Sequence, residues 1–417
     1  MSGCGCAEVI TPGLLDLFDA RARMIAAARP LRDSEQVGLA AAARRVLAEE
    51  VSATLDMPGV DNSAMDGYAL RLAELSLEGL PVALRVPAGA GVLKLPVGGC
   101  ARIFTGAPLP LGADAVVPQE RVRLDAQGRV HVDGELAEGA NIRRRGEETQ
   151  EGDLLLPAGA CLDAAAIALL ASHGIDAVTV VRRLRVALFS TGDELIEPGA
   201  IRMAGQVYDS NRAMLHALLV QAGCEVLDQG VIADTFLDLH QAFTEARAEA
   251  DLVVCTGGVS VGEEDHVRPV IERLGGIAFH GVAMKPGKPF ALGYLGDSLI
   301  GGTPLIALPG NPVASLVGWQ LLALPFVQVR QGREPAPLQR FSVAAGFSQR
   351  GPKGRRELLR VVLDWCSGAP VARLAGGQGS HMLSAASQAH GYLMIDANNN
   401  VEEGHAYGYC PAVQFLD

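Results

Sequence analysis

Residues 252–265 read LVVCTGGVSVGEED: four apolar residues, then small ones and glycines, then three carboxylates in a row. An apolar run that breaks into Gly-Gly reads as a buried strand ending in a tight turn. Similar apolar runs stand at 185–190 (RVALFS), 226–232 and 305–308. They alternate with helical stretches at 211–222, 235–250, 265–274 and 312–330. This alternation predicts a doubly wound α/β domain over 181–332 with mostly parallel strands.

In an open α/β sheet, ligands lie beyond the carboxyl ends of the strands. Four unusual segments fall there: STGDEL (190–195), Asp234 after Ile232, TGGVSVGEED (256–265) and LPGNP (308–312). Gly257, Gly258, Ser260 and Gly262 let backbone amides come close to a phosphate or nucleotide. KPGKP (285–289) holds Lys285 and Lys288 on a proline-stiffened frame, so little ordering entropy is lost when an anion binds. Asp193, Glu194, Asp234 and Asp265 cannot face that anion unless a hard cation such as Mg²⁺ lies between them. Each piece has a plainer reading: a tight turn for Gly-Gly, helix caps for Asp193 and Asp265, solvated charge for the lysines, and surface positions for His266 and His280. Four loops predicted at one sheet edge favour a site over independent accidents.

Working outward, 12–30 and 34–50 carry apolar residues at helical spacing, and Pro30 stops the first. Short β-type runs at 82–86, 101–104, 115–117 and 129–132 predict a β insertion over 56–147. Residues 163–173 read as a helix capped by Asp163, which gives a helical domain in two segments, 1–55 and 148–180. Pro335 and Pro337 mark a linker, and runs at 358–363, 392–395 and 412–416 predict a small C-terminal β domain over 333–417. The expected fold class is therefore α/β multidomain: a doubly wound domain, a helical domain with a β insertion, and a C-terminal β domain.

Apolar content of 49% in 417 residues is enough for several cores, and with aromatics at 5% alanine, valine and leucine must build them. Thirty-five basic against 47 acidic residues give a net charge of −12 with no basic run, which argues against nucleic acid as a partner. Cys4 and Cys6 lack a second pair, so they are weak as a metal motif. The N-terminus does not read as a signal peptide, and no run is read as a membrane span. The expectation is a reduced cytoplasmic protein.

DNSAMDGYALR (61–71), IFTGAPLPLGADAVVPQE (103–120), NIRRRGEE (141–148), STGDEL, TGGVSVGEED, AMKPGKP and LPGNP resemble the molybdopterin molybdenumtransferase family. This is the MoeA type, to which the C-terminal part of gephyrin is similar. The resemblance runs from about residue 12 to 417. It implies four domains, and an elongated homodimer whose clefts combine residues of both subunits. It also implies a reaction that takes adenylylated molybdopterin and molybdate, uses Mg²⁺ to hydrolyse the adenylate, and places molybdenum on the dithiolene. Other enzymes of cofactor synthesis are implied as further partners.

Carried over by motif, the catalytic residues implied are Asp66, Thr105, Glu148, Glu194, Asp234 and Asp265, with Glu194 and Asp265 suited to the metal. Gly257, Gly258, Ser260, Lys285, Lys288, Pro309, Asn311, Pro312, Arg360 and Ser380 would bind substrate. The chain departs from the family pattern at Glu148, where aspartate is usual, and at Gly281, where many members have lysine. Ala314 stands where the family usually has serine, with Ser315 one place later. Three other functions were weighed. An adenylyltransferase would not need KPGKP or the flanking domains, a clustering scaffold would need a long linker or partner domain, and a dinucleotide dehydrogenase would show G-x-G-x-x-G after 185–190.

Overall fold

The computed structural model describes residues 13–258 and 266–415. The chain divides into two compact units. One comprises the N-terminal residues to Glu35, Arg44–Ala48 and everything from Thr179 on; the other comprises Gln36–Ala43 and Glu49–Val178.

The larger unit is built on a six-stranded sheet in the order Glu225–Ile232, Arg185–Thr191, Leu252–Thr256, Thr303–Leu308, Ala291–Leu295, Gly275–His280. The first four strands are parallel and the last two antiparallel, in registers such as Val186↔Leu252 and Val253↔Leu305. Alternate residues serve opposite faces, as a pleated strand requires. Val186, Leu188, Leu252, Val254, Ile306 and Leu308 join the core beneath the helices Ser210–Gln221 and Pro312–Gly318. Ala187, Phe189, Val253, Cys255, Leu305 and Ala307 join the core beneath Phe236–Glu249 and Val267–Leu274, where Phe189 meets Phe243 edge-on at 5.1 Å. Both faces of the sheet are covered, so the central strands Arg185–Thr191, Leu252–Thr256 and Thr303–Leu308 carry nearly continuous apolar runs rather than alternating ones.

Pro312–Arg330 is one helical run whose middle, Trp319–Ala323, opens to π geometry. Pro325 has no N–H for the carbonyl of Leu321, and the Arg21 guanidinium donates to that carbonyl instead at 2.9 Å. The run reaches 19 residues at mean hydropathy 1.5, long and apolar enough to cross a membrane, contrary to the reading of the sequence. Its most apolar window is 78% buried within the unit, as befits a core helix.

The C-terminal strands Phe341–Ala345, Arg356–Ser367, Ala369–Leu374, Gly391–Ile395 and Ala406–Pro411 close on themselves, because Arg356–Ser367 pairs with both Ala369–Leu374 and Gly391–Ile395. The result is a five-stranded barrel around Val343, Leu359, Val361, Leu393 and Tyr409. Met284–Lys285 adds to it in parallel beside Arg356 and Glu357. Residues 412–416 were expected to be a strand, but Ala412–Phe415 is a 3₁₀ turn. Pro411 removes the next ladder donor, so the strand stops there.

The smaller unit holds a four-stranded sheet, Val82–Val86, Cys100–Ile103, Gly67–Leu70 and Ala115–Pro118, and the hairpin Val122–Leu124/Val130–Val132. It also holds the helix Ala164–Ser172, capped by the Asp163 carboxylate on the Ala166 N–H at 2.8 Å. The second predicted helix, 34–50, is absent. Ser34–Gly38 is a strand, Leu39–Ala41 a 3₁₀ turn, and Arg44 sits at φ 61°. A left-handed residue cannot continue a right-handed helix. Beyond it the Ala48 N–H bonds to the Thr179 carbonyl, so tertiary pairing overrides the alanine-rich propensity.

Candidate active site

A crevice of about 650 Å³ opens at the carboxyl ends of the parallel strands. The end of Arg185–Thr191 contributes Ser190, Thr191, Gly192 and Glu194, and the loop after Glu225–Ile232 contributes Asp234. Thr256, Gly257 and Gly258 close the next strand, and Pro309, Gly310, Asn311 and Pro312 the one after. Glu194, Asp234, Gly257, Gly258, Pro309, Asn311 and Pro312, all singled out from the sequence, therefore share one cavity. Ser260 and Asp265 lie outside the described residues.

Local physics explains the shape. Gly257 sits at φ 96°, and a Cβ there would lie 2.1 Å from the Thr191 carbonyl oxygen, so only glycine lets these neighbouring strand ends meet. Pro312 opens its helix at a position where no N–H is needed, and Asn311 makes no capping bond with its side chain. Burial pushes the Asp234 carboxyl above its ordinary range, and the charges of Asp193 and Glu194 add to this. His266 and the Thr191 hydroxyl oppose the shift. Among the described residues no three His, Cys, Asp or Glu side chains cluster as a metal cage. Mg²⁺ does not need one, since it binds through one or two carboxylates, substrate phosphates and retained water. Glu194, on the crevice wall, supplies one such carboxylate.

Beneath the LPGNP turn lies a buried polar hub that the sequence reading missed. Asn211 donates through Nδ2 to the Gly310 carbonyl at 2.7 Å and to Thr256 Oγ1 at 2.9 Å. Thr256 and Ser315 both donate to the Pro309 carbonyl. Ser315, one place beyond the family's serine slot, is thus fully buried. Asn211 Oδ1 and Ser190 Oγ are buried without a hydrogen-bond partner. Such a group costs about 1–3 kcal/mol until something satisfies it. The available signal was Asp209-Ser210-Asn211 ahead of an amphipathic stretch, the pattern of a helix cap, and Asp209 indeed caps Ser210–Gln221.

The KPGKP turn reaches the crevice through Pro289. Neither Lys285 nor Lys288 is among the residues lining the crevice. Because Met284–Lys285 is stitched to the barrel, the Lys285 ammonium lies 2.7 Å from the carboxylate of buried Glu357. Lys288 is exposed. Arg360, fully buried in the barrel strand Arg356–Ser367, donates through Nη2 to the Gly377 and Gly379 carbonyls at 2.9 and 3.1 Å. Its Nε and Nη1 have no partner. The same loop carries Ser380, whose carbonyl accepts from the Val313 N–H at 3.0 Å, and His381, which lines the crevice.

In the smaller unit, Asp66 Oδ1 accepts from both the N–H and the hydroxyl of Thr105 at 2.8 Å. These bonds, with Arg102 nearby, hold the exposed Asp66 carboxyl below its ordinary range. Glu148 is exposed, and its N–H donates to the Met57 carbonyl at 3.0 Å.

Residues 15–174 match the MoeA N-terminal region (domain I and II), 187–329 a probable molybdopterin binding domain, and 343–406 the MoeA C-terminal region (domain IV). The chain is 37% identical over 397 residues to the molybdopterin molybdenumtransferase of Haemophilus influenzae, covering 94% of this chain and 97% of that protein. It is 41% identical over 317 residues to that of Nostoc sp., covering 73% and 72%. The crystal structure of the molybdopterin biosynthesis MoeA protein from Pyrococcus horikoshii superposes with a TM-score of 0.79 at 26% identity, covering 95% of this chain and all of that one. With its barrel, its α/β domain and its motifs in place, the chain belongs to the molybdopterin molybdenumtransferase (MoeA) family, transferases of molybdenum cofactor biosynthesis.

Proposed function

We propose that this protein transfers molybdenum from molybdate to the dithiolene of adenylylated molybdopterin and releases AMP. Water enters the phosphoanhydride, giving AMP and the pterin's terminal phosphate. The two S–H protons leave with one oxide of molybdate as water, so the oxidation state of molybdenum does not change. The observation that carries this reading is the fully buried Arg360 with two N–H groups unpartnered, beside a loop that reaches the crevice. A guanidinium in that state is suited to an oxyanion and costly without one.

Arg360 with Ser380, Lys285 and Lys288 binds molybdate. Gly257, Gly258 and Ser260, with Pro309, Asn311 and Pro312, hold the substrate in the crevice. Glu194, with Asp265 of the GEED segment, would hold Mg²⁺, which when bound supplies charge neutralisation at the scissile phosphate. Asp234, whose carboxyl burial pushes above its ordinary range, exchanges a proton with the attacking water. Asp66, Thr105 and Glu148 complete the site from the second subunit of a homodimer. The four-domain division and a cytoplasmic location belong to the same reading. Its test is AMP release from adenylylated molybdopterin by the purified protein. Release should require molybdate, stop in excess chelator and resume with Mg²⁺. Turnover unchanged in chelator removes Mg²⁺ from the scheme, and AMP release indifferent to molybdate removes the reaction.

A further inference from the structure

The crevice wall is rich in acceptors and, among the described residues, carries no lysine or arginine. Glu194, Asp209 and Asp234 all contribute to it. The nearby Arg212 is already engaged by Asp209, Asp228 and Glu197. Phosphate oxygens gain little from such a wall, whereas N–H and O–H donors gain from it.

Asn211 gives the wall a fixed polarity. The Gly310 carbonyl can only accept, so the Asn211 amide cannot be flipped, and Oδ1 is the atom left over. The residue is only 7% exposed and lines the cavity, where Ser190 Oγ, Thr191 Oγ1 and Asp234 Oδ1 are further buried groups without a partner. Of the two heterocycles in adenylylated molybdopterin, adenine flanks its amino group with ring acceptors that would oppose these oxygens. The pterin presents N3–H and the 2-amino group side by side, donors throughout.

We infer that Asn211 is a specificity-determining residue that accepts, through Oδ1, a hydrogen bond from the 2-amino group on the donor edge of the pterin ring. This deepens the proposed function and rests on it for the identity of the ligand. Asn211 also clamps the LPGNP turn, so loss of activity alone would not distinguish reading from scaffolding. Discrimination between ligands does, because a site built to hydrogen-bond a donor rejects the analogue that lacks it.

The experiment titrates the full chain with pterin and with lumazine, whose 2-position bears a carbonyl in place of the amino donor. The wild type should prefer pterin by about tenfold or more, and Asn211→Ala should bind the two within about twofold of each other. Asn211→Ser, smaller but still able to donate toward Gly310, should lose the preference as well and serves if the alanine variant does not fold. A variant that keeps the full preference overturns the inference, as does a wild type that binds both equally. AMP release by the wild type, measured alongside, separates the two readings. Turnover without pterin preference overturns the role of Asn211 alone. A pterin preference controlled by Asn211, without turnover, upholds that role and removes the reaction.

Discussion

At the sheet end, Glu194, Asp209, Asp234, Ser190 and Asn211 line a crevice with no lysine or arginine among the described residues. Along the barrel strand Arg356–Ser367 the chemistry is reversed. Arg360 is buried with two free N–H groups, Lys285 stands against Glu357, and Lys288 is exposed on the same KPGKP turn. A single pocket combining both sets would neutralise itself. Keeping them apart lets one ligand with a donor-rich end and another with only oxygen atoms each find its own surface, with the 377–383 loop between them. The division predicts that substitutions on the two sides fail in different ways.

The largest effect should come from the crevice. Asp234→Asn removes the proton-exchanging group and should lower kcat by about a hundredfold or more, with pterin binding retained. Stability should move the other way at neutral pH. The folded-state pKa of Asp234 is raised, so its contribution to stability is present below the unfolded carboxyl value and is lost as pH rises through the folded one. At pH 7 the ionised form is therefore a burden that asparagine relieves, and the variant's Tm should exceed the wild type's. A lower Tm for the variant at pH 7 would show that Asp234 is held charged by something other than the groups named.

On the barrel side, Arg360→Lys keeps the charge but loses the planar fork, and should raise KM for molybdate by about tenfold or more with the pterin term unmoved. Lys288→Ala should act in the same direction more weakly, by severalfold, because an exposed ammonium binds through screened charge. Equal loss of molybdate and pterin affinity in either variant would collapse the distinction between the two regions.

Much of this was legible in the sequence for a simple reason. Strands buried on both faces must be continuously apolar, so RVALFS, LVVC and the run to Leu308 declared themselves, and loops at strand ends followed. The antiparallel pair Gly275–His280 and Ala291–Leu295 did not. Gly275 sits where a Cβ would lie 1.9 Å from the Tyr294 carbonyl oxygen, so close strand approach demanded glycine and erased the apolar signature. Of the candidate site, Glu194, Asp234 and the Pro309–Pro312 turn stood out because their residue types are unusual after strands. Asn211 and Ser190 did not, since a helix-cap pattern and a strand serine are ordinary until tertiary contacts leave one atom of each unpartnered. The contact of Lys285 with Glu357 was hidden for a third reason. KPGKP marks a stiff turn, but nothing local to it says that Met284–Lys285 will pair with the barrel strand.

That pairing sets up the smallest expected effect. The Glu357 side chain is 4% exposed against 47% for Lys285, so the carboxylate depends on the ammonium more than the reverse. Lys285→Met leaves a buried carboxylate without its cation. A fully buried pair broken in this way costs about 3–5 kcal/mol, and the half-exposed lysine reduces that to about 1–2 kcal/mol. Glu357→Gln should instead free the ammonium and tighten molybdate binding by about twofold, while the double variant recovers most of the stability lost by Lys285→Met. Chemical denaturation with a double-mutant cycle measures the first, and a molybdate titration the second. If Glu357→Gln weakens molybdate binding as much as Lys285→Met does, then Glu357 orients Lys285 rather than competing for it. The ammonium would then belong to the anion site as a positioned donor.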